Sequence, residues 1–63
     1  MTIREYLNER IALFSEEVRM AVEAMLDSIE NNEWKTASDM QRTIDYWLSR
    51  CKNTQRLLDE LEN

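Results

Sequence analysis

The side chains best placed to do chemistry in this sequence are carboxylates. Glu9, Glu16, Glu23 and Glu30 recur every seven residues, and Glu5 and Asp27 fall on the same side of a helix. Grouped carboxylates serve acid–base steps or hold metals. The di-metal site of helical bundles, however, needs inward-facing Glu together with Glu-x-x-His motifs, and this chain has no histidine. Cys51 is the single thiol. A nucleophilic cysteine needs a base or positive surroundings to form its thiolate. Cys51 instead stands between Ile44 and Leu58 in a heptad series, and it reads as a buried structural thiol. With no glycine, there is no Gly-rich loop to cradle a phosphate. The sequence therefore assigns no catalytic residue, no metal ligand and no cofactor, and an enzyme is not expected.

Binding chemistry is the alternative, and charge restricts it. The net charge is −5, which opposes a nucleic-acid partner because affinity for phosphates comes largely from Lys and Arg. It suits a partner protein with a basic surface. The lone cysteine suggests a reducing compartment, since small secreted domains usually pair their cysteines. The start, Met1-Thr2-Ile3-Arg4-Glu5-Tyr6, lacks an apolar run behind a basic end. No stretch approaches the ~18–20 apolar residues of a membrane span. A cytoplasmic chain with no membrane attachment is expected.

The elements that position these residues follow from periodicity. There is neither glycine nor proline in the 63 residues, so turns are few and helices long. Thr2 followed by Glu5 is a capping-box pattern that starts a helix. Ile3, Leu7, Ile11, Phe14, Val18, Ala21, Met25 and Ile29 then repeat in steps of three and four. Asn31-Asn32 is the one good break, because Asn tolerates the left-handed conformation that ends helices. Beyond it, Ala37, Ile44, Cys51 and Leu58 form one heptad series and Met40, Trp47, Thr54 and Leu61 the other. Asp59, Glu60 and Glu62 put negative charge where the helix dipole disfavours it, so the last turn is expected to fray. Trp34 is expected to fold over the turn and plug that end.

The predicted architecture is all-α: an antiparallel two-helix hairpin, helix 1 over about 3–30 and helix 2 over about 33–60, forming one domain across 1–63. A single core in a chain this short rarely supplies more than ~3–5 kcal/mol without a staple. No disulfide is available, so oligomerisation is the staple left. A homodimer forming a four-helix bundle is expected, with Phe14, Val18, Met25, Ile44, Trp47, Cys51 and Leu58 as core and dimer residues.

Two surface strips of helix 1 remain. Tyr6, Leu13 and Met20, seven apart and extended by Ala24, lie outside the core stripe, with Arg10 and Glu17 between. The strip reads as a partner-docking seam or as the dimer interface itself. Glu9, Glu16 and Glu23 form an acidic ridge bordered by Ala12 and Arg19. Helix 2 carries Arg42, Tyr46, Ser49, Asn53 and Arg56 outward, with Lys35 near its start. A basic strip with an aromatic suits RNA. Lys35–Asp39, Arg42–Asp45 and Arg56–Glu60 are spaced as intrahelical ion pairs that would cancel that charge.

In length and plan the chain resembles the Rop family of plasmid copy-number proteins, helical hairpins that dimerise into four-helix bundles. Two equal helices joined at Asn31-Asn32, each with a heptad stripe, carry the resemblance. It implies RNA binding through a basic and polar face of helix 1. That face here presents Glu9, Glu16 and Glu23, so no RNA-contact residue carries over. The plan is also similar to small secretion co-chaperones and to phage- or plasmid-encoded inhibitors. The expected function is a non-enzymatic, protein-binding regulator or adaptor of the inhibitor, anti-activator or co-chaperone class, acting through helix packing and an acidic face. The alternatives are a Rop-like RNA-binding hairpin using Arg42, Tyr46 and Arg56, and a purely structural oligomerisation module.

Overall fold

The computed structural model describes residues 1–62. Thr2 is extended (φ −82°, ψ 163°), and its hydroxyl oxygen accepts the Glu5 N–H at 3.1 Å. This satisfies one of the orphan donors at a helix start. The Glu5 carboxylate accepts the Thr2 hydroxyl proton at 3.1 Å, turning back onto the side chain rather than onto the Thr2 backbone N–H. The helix so begun, α1, runs Ile3–Glu30.

Its end is built by the Asn pair. Asn32 has φ 59°, and its N–H donates to the Ile29 carbonyl at 3.1 Å while Glu33 N–H donates to the Ser28 carbonyl at 2.8 Å. That double bond pattern across a left-handed residue closes a helix tightly. The second helix, α2, runs Trp34–Glu62, and the Glu33 carbonyl accepts the Ala37 N–H at 3.0 Å. Contrary to the expected fraying, the last turn stays helical. Buried Leu58 anchors it, Gln55 Nε2 donates to Asp59 at 3.0 Å, and Arg4 reaches Glu62 across the pair at 4.0 Å.

The two helices pack along their length. Leu7, Phe14 and Ala21 of α1 are buried against Ala37, Ile44 and Leu58 of α2, each set stepping by heptads. Ile11, Val18, Val22 and Met25 are half-buried on one helix, as are Met40, Trp47, Cys51 and Thr54 on the other. Phe14 is the centre of the packing, its ring centroid 5.7 Å from that of Trp47. Ser28 completes the α1 series at the turn and is buried at 7% exposure, a core position that apolar patterning passes over. Trp34, outside the buried Ala37–Ile44–Leu58 series, does not plug the turn: it is 62% exposed.

The hairpin is a single layer of helix. Its extents are 46 × 16 × 12 Å and its radius of gyration 14.5 Å, whereas a compact domain of this length has about 10–11 Å. It exposes 4857 Å², against roughly 4,300 Å² for a compact monomer of its mass. Among the described residues no helix is long and apolar enough to cross a membrane.

Candidate functional site

The outer side of α1 is where the fold leaves most unexplained apolar surface. Tyr6, Leu13 and Met20 are 51%, 54% and 54% exposed. They stand one heptad apart and so form a line along the helix. The hairpin core does not use them. Glu9, Glu16 and Glu23 run beside this line and are all exposed. Between the two, Glu9, Ala12, Leu13 and Glu16 border a shallow hollow of about 400 Å³. Two apolar side chains, Ala12 and Leu13, and two carboxylates, Glu9 and Glu16, line it. It is too open to enclose a small molecule.

The ridge carries less net charge than its carboxylates suggest. Arg19 sits three residues after Glu16 and four before Glu23, spacings that face each other on a helix. Its guanidinium donates from Nε to Glu16 at 3.1 Å, from a terminal nitrogen to the second Glu16 oxygen, and to Glu23 at 2.7 Å. The fork on Glu16 lowers that carboxyl below its usual range, mainly through the hydrogen bond, and the same bond raises the Arg19 guanidinium. All three side chains are solvated. The clamp therefore sets local charge more than it adds stability.

On α2 the expected cancellation of charge does not occur. Among the described residues the ion pairs are Arg4–Glu62, Arg19–Glu16 and Arg19–Glu23. Lys35–Asp39, Arg42–Asp45 and Arg56–Glu60 do not close. Asp45 instead accepts from Gln41 and Asp59 from Gln55, each at 3.0 Å. Of the three expected acid partners only Asp45 is taken by an amide, and Lys35, Arg42 and Arg56 are exposed to water. Tyr46 is engaged by Arg50, which donates to its hydroxyl at 2.9 Å and lies 5.6 Å from its ring.

A second cationic feature escaped sequence reading. The guanidinium groups of Arg10 and Arg50 lie 5.0 and 5.2 Å from the centre of the same Phe14 ring. Arg10 was visible only as a residue between two strips. Its meeting with Arg50 depends on the register of the two helices, which no local pattern specifies. Arg19, likewise, was placed only at the border of the acidic ridge, although its spacing from Glu16 and Glu23 is local.

Of the residues assigned to core and dimer, Phe14, Ile44 and Leu58 are buried, and Val18, Met25, Trp47 and Cys51 are half-buried. Cys51 Sγ lies 3.8 Å from Ser15 Oγ. Among the described residues no cluster of His, Cys, Asp or Glu is grouped to hold a metal ion. Compared with protein-family models, curated proteins and solved structures, the chain matches none.

Proposed function

We propose that the protein is a small protein-binding regulator or adaptor, of the inhibitor, anti-activator or co-chaperone class, that docks a larger protein with a basic surface on the outer side of α1. It does so without catalysis, in a compartment that keeps Cys51 reduced. The observation that carries this reading is the open apolar line of Tyr6, Leu13 and Met20 flanked by Glu9, Glu16 and Glu23. Apolar anchors supply affinity at an interface, and a charged border supplies steering and choice of partner. Helices present such a face through residues one heptad apart.

The test is affinity capture from the source cell with the wild-type chain and with a Glu9→Lys, Glu16→Lys, Glu23→Lys variant. The wild type is expected to retain a basic protein that added salt releases, and the variant to lose it. Equal capture by a folded variant rejects the reading.

One observation favours a second reading. Lys35, Arg42 and Arg56 keep their charges outside ion pairs among the described residues, beside a Tyr46 that is 47% exposed. This arrangement suits an RNA backbone with one stacked base. Phosphate contacts weaken steeply with salt, so absence of binding to structured RNAs at ~50 mM salt removes this reading.

A further inference from the structure

The two long edges of the hairpin differ in charge. Their assignment follows from contacts. Arg10 and Arg50 approach the same ring from one edge. Ser15 meets Cys51, and Arg4 reaches Glu62, on the other. Heptad spacing places Asn8, Ser15, Val22 and Ile29 of α1 along this second edge. From α2 it brings Trp34, Gln41, Leu48 and Gln55. None of these eight positions is charged, in a chain whose residues are 33% charged. Charge lies at its border, where Gln41 and Gln55 donate to Asp45 and Asp59 at 3.0 Å, and at the open end, where Arg4 and Glu62 lie 4.0 Å apart. The Arg10 edge carries Arg10, Glu17 and Arg50 at the equivalent positions.

We infer that this neutral face is where a second copy of the chain packs, completing a four-helix bundle and leaving the outer side of α1 free. Three observations select a copy over another occupant. First, each chain carries −5, so two copies repel unless they meet through surfaces without charge. A basic partner would find its carboxylates elsewhere, on the Glu9–Glu16–Glu23 ridge. Second, the polar members of the face are amides and a hydroxyl. Each holds both donor and acceptor, so the same set on a twofold-related copy satisfies it. Third, the face has the required area. The extents of 46 × 16 Å correspond to roughly 700 Å² per copy, close to the ~800 Å² per partner of a stable interface. The apolar members are open to receive it, with Trp34 62%, Leu48 38% and Ile29 36% exposed.

The experiment is light scattering on the full chain, with Leu48→Lys on the neutral face and Leu57→Lys on the other edge as control. Wild type and Leu57→Lys are expected at twice the 7.6 kDa chain mass. Leu48→Lys is expected to associate at least about tenfold more weakly, since an unpaired charge would be buried. Because Leu48→Lys risks losing the fold with the dimer, a second measurement uses a Trp47→Phe chain, in which Trp34 alone reports. Its emission is expected to move to shorter wavelength as concentration rises and the mass doubles. A single-chain mass for wild type at roughly 1 mM, or a doubled mass with unchanged Trp34 emission, overturns the inference. So does a dimer broken by Leu57→Lys and spared by Leu48→Lys. None of these outcomes bears on the ridge variant that tests docking of a larger protein.

Discussion

Arg19 holds two carboxylates of the ridge at once, bidentate on Glu16 and at 2.7 Å on Glu23. The depressed Glu16 carboxyl means that the clamp's contribution is present at neutral pH and is lost as pH falls through the folded-state titration of Glu16. In an Arg19→Gln chain the Glu16 titration is expected to move upward, toward the usual carboxylate range. Carbon-detected NMR of the side-chain carboxyls reads this directly, and an unmoved titration rejects the clamp. The same substitution makes the ridge more negative and is expected to strengthen capture of a basic partner at low salt. At this scale local spacing named possible neighbours within one turn but did not decide which of them pair. Thr2–Glu5 was read from its spacing, whereas Arg19 was placed only at the border of the ridge and not as the clamp of Glu16 and Glu23. Lys35–Asp39 had the right spacing and still did not pair, because exposed ions gain little from contact in water. Phe14 was recognisable as core, but the two arginines over its ring were not, since they come from different helices.

Each helix is bounded by a few residues whose removal has a calculable cost. Thr2→Ala deletes the acceptor for the Glu5 N–H and is expected to cost about 1 kcal/mol, measured by urea unfolding. Asn32 lies at φ 59°, where a β-branched side chain is strained. Asn32→Val is therefore expected to destabilise by about 1–2 kcal/mol, and Asn32→Gly to be neutral or slightly stabilising. A destabilising Asn32→Gly would contradict the account of the turn. Deep in the packing, Phe14→Ala is expected to remove about 3–5 kcal/mol, enough to unfold an isolated hairpin in the same urea assay. The helices and their break were legible because heptad stripes and the Asn pair are strong local signals. The α2 terminus was not. The dipole argument predicted loss of the last turn, but the burial of Leu58 and the Arg4–Glu62 contact depend on the neighbouring α1. Trp34 stands at the first position of α2, outside the buried Ala37–Ile44–Leu58 series, and stays 62% exposed instead of closing the turn.

As a whole the molecule is a rod one helix layer thick, 46 Å long and 12 Å in its thinnest direction. A layer has two faces and one internal contact, and no large side chain among the described residues falls below 2% exposure. Sequence reading anticipated this shortfall from length and the missing staple, and the exposed Tyr6, Leu13, Leu48 and Leu57 give it locations. What it did not provide was the sorting of those residues onto different edges, since that needs the sense of packing of α1 on α2. On the inference drawn above, the hairpin is completed by another chain, beginning with its own copy. Thermal unfolding of the wild-type chain across about a hundredfold range of concentration tests it most directly, because association stabilises by mass action. The account predicts a melting temperature that rises steadily with concentration. A single cooperative transition at the same temperature throughout would show a self-sufficient hairpin and contradict the claim.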